Sequence, residues 1–378
     1  MADSPDPTVL VIGGGASGNA VTILLRRAGI AVDLIEAKPD WNATTGSGIT
    51  LQGNALRALR ELGVWERVEA SGYPFDSLGV TAPDGTVLFV AEDIRTGGDD
   101  LPATLGMQRP RLQQILIDAV RASGATVRLG VTAETLEQDA DGVSVRFSDG
   151  GEGRYDLVIG ADGLNSATRA AIGITEKPEP TGMAIWRIAA PRPEGVVRTD
   201  LAYGGPAYIA GYCPTSENTI YAYVVEACRD RAAVHPAEHA DEMRRLAQQY
   251  GGAWPEITRH ITDPEQVNYT WFTRMLVEGS WHRGRVVLLG DAAHCCPPTI
   301  AQGAAMSLED ALVLAELLTS GRPWDDELFQ TYYDRRVPRV RTVVEASVQI
   351  GRWQLDGVRD ADVPGLIGRT MNFLKELP

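Results

Sequence analysis

Residues 8–36 read TVLVIGGGASGNAVTILLRRAGIAVDLIE. The first five form an unbroken apolar run, which is how a strand buried on both sheet faces reads. The run stops at Gly13-Gly14-Gly15-Ala16-Ser17-Gly18, and a helix follows to about Ala28, where Gly29 stops it. A second strand, 31–35, ends on Glu36. Strand, glycine turn, helix, strand and acid fall in order within about 30 residues, the context that gives a G-x-G-x-x-G motif its meaning. One glycine makes the tight turn, one lets the backbone approach a pyrophosphate, and one lets helix and strand pack closely. Gly13, Gly15, Ala16, Ser17 and Gly18 are therefore expected around a pyrophosphate, and Glu36 on a ribose hydroxyl. The motif predicts an ADP-type dinucleotide without separating a nicotinamide cofactor from a flavin.

Two later segments share this grammar. Residues 284–318 read GRVVLLGDAAHCCPPTIAQGAAMSLEDALVLAELL: a buried strand, a break at Gly290-Asp291, a proline-bearing loop, and a helix from Gly303. Residues 154–163, RYDLVIGADG, read as one buried strand ending in Asp162-Gly163, followed by a helix over 164–171 with Ser166 and Arg169 on one face. Three such units far apart in the chain imply one nucleotide domain interrupted by insertions.

The intervening sequence fits that plan. Gly46-Ser47-Gly48 opens a small-residue strand that leads into a helix over 54–62. Residues 75–90 alternate around Pro83-Asp84-Gly85 as a hairpin, and 93–100 is a polar loop. A helix over 107–123 carries Arg109 at its start, strands follow at 126–129 and 143–147, and Gly150-Gly151 makes a turn. Residues 173–193 read as a crossing between domains. Residues 201–225, rich in Tyr, Val and Ile, read as antiparallel sheet. An amphipathic helix over 235–250 and a short helix and loop over 254–263 come next. Residues 266–274 form a strand returning to the nucleotide domain. Residues 327–355 are a long helix kinked or broken at Pro338, and 363–378 a short helix or arm.

The chain has 378 residues, 44% of them hydrophobic, enough for a large core. Its formal net charge of −15, with no Lys/Arg run, argues against nucleic acid and anionic membrane surfaces as partners. Cys213, Cys228, Cys295 and Cys296 fit neither a zinc pattern nor a disulfide scaffold, so no metal is expected and a reducing, cytoplasmic setting is. Residues 1–7 lack the features of a signal peptide and read as a frayed tail. No apolar run is long enough to span a membrane.

GGGASG, IGADGLNSATR and GRVVLLGDAAH, in that order, resemble the three fingerprints of the single-component FAD-dependent aromatic hydroxylases (class A flavoprotein monooxygenases) from residue 8 to about 336. The likeness is to the short members acting on hydroxybenzoates, hydroxypyridines and urate. It implies an α/β fold: a Rossmann-like FAD-binding domain (1–72, 99–178 and 267–325), an inserted mixed or antiparallel β-sheet substrate domain (73–98 and 179–266), and C-terminal helices (326–378). It further implies that Gly13, Gly15 and Gly18 hold the FAD pyrophosphate, Glu36 the adenosine ribose, and Arg109 the phosphate region. Asp162 serves FAD and nicotinamide handling. Asp291, after Gly290, binds the ribityl chain, and the loop from Pro298 to Gly303 and Ala304 lies along the isoalloxazine. Where the family often has Gly-Gln-Gly and then Asn, this chain has Ala301-Gln302-Gly303 and Ala305.

The implied reaction uses NADH or NADPH as a transient co-substrate and O₂, and hydroxylates a small activated aromatic or heteroaromatic compound through a C4a-hydroperoxyflavin. Pro298 and Gln302 are expected beside the reacting ring. Arg187, in a Trp186-Arg187 pair, and Tyr221, which shares a sheet face with Tyr223, are expected near flavin or substrate, with Thr50 and Gln52 as further pocket candidates. His294 reads as structural support, His235 and His239 as a solvated helix face, and Cys295 and Cys296 as small fillers. A monomer or homodimer is expected, with no stable membrane association. The alternatives are a halogenase or reductase on the same fold, or a non-catalytic flavin protein. The halogenase Trp-x-Trp-x-Ile-Pro segment is missing, because Trp186 is followed by Arg-Ile-Ala.

Overall fold

A computed structural model describes residues 8–42, 48–230 and 234–378. The tail expected at 1–7 and the Gly46-Ser47 start of the small-residue strand lie outside them. Two sheets dominate. The first has six strands in the order His282–Arg283, Val286–Leu288, Leu157–Gly160, Thr8–Ile12, Ala31–Glu36, Thr126–Leu129. All neighbours are parallel except the short His282–Arg283 edge. From Thr8–Ile12 the chain winds outward to one side, then returns to build the other. That reversal is the switch point at which open α/β sheets bind ligands. The register puts Ile12, Ile35, Gly160 and Leu288 in one row, so the loops carrying Gly13, Glu36, Asp162 and Asp291 leave from the same edge. Helices Ala16–Arg27 and Gly303–Leu318 pack together over this sheet.

The second sheet has eight strands: His294–Cys295, Asn268–Leu276, Glu179–Pro191, Thr219–Ala227, Ile209–Pro214, Thr199–Ala202, Ser77–Thr81, Val87–Glu92. The hairpin around Pro83-Asp84-Gly85 forms its outer edge. A short helix, His239–Ala247, covers the far face, where Trp186, Met243, Leu246 and Trp254 are buried in one cluster.

Several sequence expectations are corrected. Residues 154–163 are two strands: Glu152–Tyr155 belongs to a small antiparallel sheet and Leu157–Gly160 to the parallel one. Between them the Asp156 carboxylate accepts from Thr8 N at 2.7 Å. Over 164–171 only Ala167–Ala171 is helical, and Ser166 is its cap, its hydroxyl accepting from Arg169 N at 2.8 Å. The supposed crossing at 173–193 contains the central strand Glu179–Pro191. Its prolines sit near the ends, Gly182 at φ +91° lies at a register shift, and partners on both sides hold the middle extended. The strand at 266–274, Asn268–Leu276, pairs with that strand in the eight-stranded sheet. Pro338 does not break the helix Asp326–Leu355. Its flanks Val337, Arg339 and Val340 are buried, which holds the helix across the missing hydrogen bond.

Candidate active site

One cavity of about 1920 Å³ lies between the parallel edge and the eight-stranded floor. Ordinary small-molecule pockets hold about 300–1,000 Å³, so there is room for a large cofactor and a second ligand. Of the residues singled out in the sequence, Gly13, Gly15, Ala16, Ser17, Glu36, Arg109, Asp162, Asp291, Pro298, Gly303 and Ala304 line it, as do Thr50, Gln52, Arg187 and Tyr221. Gly18 and Gly290 lie behind that lining. A Cβ on Gly18 would sit 1.9 Å from Gly13 O, and one on Gly290 2.9 Å from Ser17 Oγ.

The parallel edge is a backbone cradle. Gly13 has φ +108°, and a Cβ there would meet Ala161 O at 2.4 Å, whereas one on Gly15 would meet nothing within 4 Å. The Gly14 carbonyl is turned inward and accepts from Asn19 Nδ2 (3.0 Å), Trp41 Nε1 (2.9 Å) and Gln113 Nε2 (2.7 Å). Asn19, Trp41 and Gln113 are thus the clamps of the loop, and no local motif marks them. Gly14 N donates to Glu36 Oε2 at 2.8 Å. The first N–H groups of helix Ala16–Arg27 have no partner within the helix and form an anion-binding terminus. Arg109 reaches the cavity with no carboxylate partner among the described residues. Asp162 accepts from Ser166 Oγ (2.5 Å) and from Thr168 N and Oγ1 (both 2.9 Å), which fixes its turn.

The Gly290-Asp291 turn rests on a buried charge network. Asp310 Oδ2 accepts from Gly290 N (3.1 Å) and lies 2.6 Å from His294 Nε2, while Oδ1 accepts from Arg336 Nε (2.7 Å). Glu309 takes Arg336 Nη1 (3.0 Å), both Arg339 donors (3.0 and 2.9 Å) and Asn54 Nδ2 (3.1 Å). Burial alone would raise the carboxyl of Asp310, but His294 and Arg336 outweigh it and hold it below its usual value. Neither acid was singled out in the sequence, where Glu309 and Asp310 look like any polar pair on a helix. Asp291 points into the cavity. The surrounding protein raises its carboxyl, against the pull of His294 and Arg109.

Gln302 departs from expectation. It is fully buried, accepting from Asn54 Nδ2 (3.0 Å) and donating to Asn54 Oδ1 (3.2 Å), and does not line the cavity. Ala301 precedes it in the left-handed conformation, φ 54° and ψ 34°, and the chain turns the amide toward Asn54 and away from the pocket. His239 is half-buried and not simply solvated: it sits edge-on to Trp186 at 5.4 Å with Nδ1 3.1 Å from Val267 O. His235 is exposed. Cys295 and Cys296 line the cavity as thiols pushed up to about 12 by burial first and the Asp291 charge second, so they stay protonated.

On the floor, Arg187 donates through Nε to Tyr221 OH (3.0 Å) and through Nη1 to Thr270 Oγ1 (2.5 Å). Both partners are neutral, and among the described residues Arg187 has no carboxylate. Tyr221 stacks on Tyr223 at 5.0 Å, so the two share one face. Burial raises the Tyr221 phenol, partly offset by Arg187. Asp93, read in the sequence as loop, also lines the cavity. Its carboxylate accepts from Thr104 Oγ1 (3.0 Å), and burial raises its pKa despite that bond.

A glycine cradle at a helix start, an uncommitted arginine beside it, and acids after successive parallel strands fit FAD. Comparison with known proteins agrees. Residues 6–347 match the family described as FAD binding domain. Aurachin C monooxygenase/isomerase of Stigmatella aurantiaca is 33% identical over 353 residues, covering 92% of this chain and 90% of the relative. The 2-heptyl-3-hydroxy-4(1H)-quinolone synthase of Pseudomonas aeruginosa is 32% identical over 352 residues, with the same coverage of 92% and 90%. Klebsiella pneumoniae HpxO, solved with FAD and uric acid, shares the fold at a TM-score of 0.81 and 24% identity, over 98% of this chain and 92% of that one. The chain belongs to the FAD-dependent aromatic hydroxylase family and is a flavoprotein monooxygenase.

Proposed function

We propose that this enzyme uses NAD(P)H and O₂ to hydroxylate a small, electron-rich aromatic or heteroaromatic ring that carries an ionisable hydroxyl. The observation behind the reading is one cavity with a glycine cradle along one wall and the Arg187–Tyr221 pair on the other. FAD bound there supplies reduction by nicotinamide and activation of O₂. The chain's own residues do the rest. Gly13 to Gly18 and the helix start hold the pyrophosphate, Glu36 a ribose, Arg109 a phosphate oxygen, and Asp291 the ribityl hydroxyls. Arg187, a cation with neutral partners, favours an oxyanion on the ring. Tyr221 OH already accepts from Arg187 Nε, so its own proton is free to be donated into the cavity. Asp93, with its raised pKa, is suited to take up the ring proton. The sheet and the C-terminal helices keep bulk water out. The relatives' rings named above, a quinolone and uric acid, are of this heteroaromatic, oxygen-bearing kind.

The test is a panel of phenols, hydroxypyridines, hydroxyquinolines and purines with the FAD-loaded enzyme, NADH or NADPH, and isotopically labelled O₂. A ring that stimulates NAD(P)H consumption and gains one labelled oxygen supports the reading. A panel that never stimulates consumption while FAD stays bound contradicts it. We further propose a cytoplasmic monomer or homodimer, which size-exclusion chromatography with light scattering checks.

A further inference from the structure

The floor of the cavity is graded across the sheet. Strand pairing aligns Arg187 with Tyr223, Tyr223 with Gly211, Gly211 with Leu201, Leu201 with Val80, and Val80 with Phe89. Residues paired in this way share one face of a sheet, and all of them except Gly211 line the cavity. Gly211 leaves a gap that its neighbours close, for a Cβ there would meet Leu201 Cδ2 and Tyr223 Cε2, each at 2.8 Å. The row therefore begins with a guanidinium and a phenol and continues as aliphatic and aromatic carbon to the edge strand. From the Arg187 strand to the Phe89 strand is five steps, or about 24 Å at the usual strand spacing. That is far longer than one ring. At its end Phe89 is 53% exposed, within a run of four exposed apolar residues, Val87 to Val90. Apolar surface of this kind on an edge strand marks a place where something apolar lies. Its continuity with the ring site identifies what does.

We propose that the substrate carries an extended apolar substituent, a hydrocarbon chain, which lies along Leu201, Val80 and Phe89 while its ring rests at Arg187 and Tyr221. The inference rests on the hydroxylase reading for the ring, and the carbon row supplies the chain.

The test uses FAD-loaded enzyme and four probes of one ring: resorcinol, 4-ethylresorcinol, 4-hexylresorcinol, whose chain is long enough to end near Leu201, and 4-dodecylresorcinol, whose chain is long enough to approach Phe89. Binding is followed by flavin absorbance and tryptophan fluorescence, and turnover by NAD(P)H consumption. Full burial of a methylene strengthens binding about fourfold, so the affinity should rise at least about twofold per methylene from ethyl to hexyl. Leu201→Asn should flatten that slope, and Phe89→Ser, on an exposed edge position, should flatten the further gain from hexyl to dodecyl, with FAD content and circular dichroism as fold checks. A flat slope in the native enzyme, or a slope unchanged in both variants, overturns the inference. Flat slopes with ring-stimulated NAD(P)H consumption leave the hydroxylase reading standing alone. A steep, Phe89-dependent slope without any turnover of these rings or of the wider panel supports the apolar channel and removes the hydroxylase reading. No binding of any probe removes the inference.

Discussion

Gly13 and Arg187 face the same cavity from opposite walls, and the walls work by different physics. The parallel edge presents backbone to the cavity. Side chains there are deleted, or turned inward to clamp the loop, as Asn19, Trp41 and Gln113 do on the Gly14 carbonyl. The antiparallel floor presents side chains, Arg187, Tyr221 and Asp93, each from a separate strand or loop. A buried charge network stands behind the edge. The floor has neutral hydrogen bonds beneath its one cation. An edge built this way should tolerate little and serve the cofactor, whereas the floor should tolerate substitution and set the choice of ring.

The largest expected effect lies behind the edge. Arg336→Met leaves Asp310 and Glu309 buried without their main cation, and should cost about 3–5 kcal/mol in urea unfolding while weakening FAD retention. The network also has a pH signature. The carboxyls of Asp310 and Glu309 are held below their unfolded values, so their stabilisation is present above the ordinary carboxylate range and fades as pH falls through their lowered native values. Asp310→Asn should be less stable than the native chain at neutral pH and lose less on acidification. A network of equal stability in both proteins would remove the contrast between the walls.

Next comes the floor. Arg187→Gln should raise KM for an ionised ring about tenfold or more, since hydrogen bonds to charged groups are worth about 1.5–3 kcal/mol, and leave the fold intact. Asp93→Asn is smaller and has the opposite sign to the edge acids. The Asp93 carboxyl is raised by burial, so native protein binds its proton more readily than unfolded chain. Stability therefore falls as pH rises from about 3.9, the ordinary value, through the raised one. Asn at this position should melt at the same or a higher temperature at neutral pH, and should abolish the acid limb of the rate profile. The smallest effect belongs to Ala301, the one described residue other than glycine with positive φ. Ala301→Gly relieves a left-handed conformation costing about 1–2 kcal/mol but adds chain entropy, so a gain below about 1 kcal/mol in thermal unfolding is expected.

The same contrast explains what could be read in advance. Gly13 to Gly18, Glu36, Asp162 and Asp291 were legible because each sits where a strand ends, and a strand, a glycine and an acid are neighbours in sequence. The parallel sheet and the discontinuous course of the nucleotide layer followed from three such signals. The floor was legible as tyrosine-rich sheet, with Arg187 and Tyr221 as pocket candidates, but not in its pairing. Arg187, Tyr221 and Thr270 meet through register across three strands, and nothing local records register. Residues 173–193 misled because Pro, Gly and charge mimic a loop where partners on both sides enforce a strand. Gln302 misled because a left-handed Ala301 turned it into the core. Asp93 and Asp310 went unseen because burial, not residue type, gives them their character.

The central claim is that the parallel edge holds FAD and the floor does not. Titration of apo-protein with FAD, read by flavin fluorescence, tests it in three proteins: native, Asp291→Ala and Arg187→Gln. Asp291→Ala is expected to bind FAD about tenfold or more weakly, the loss of a charge-assisted hydrogen bond, while Arg187→Gln stays close to native. Native affinity in Asp291→Ala, or a loss in Arg187→Gln as large as in Asp291→Ala, would contradict it.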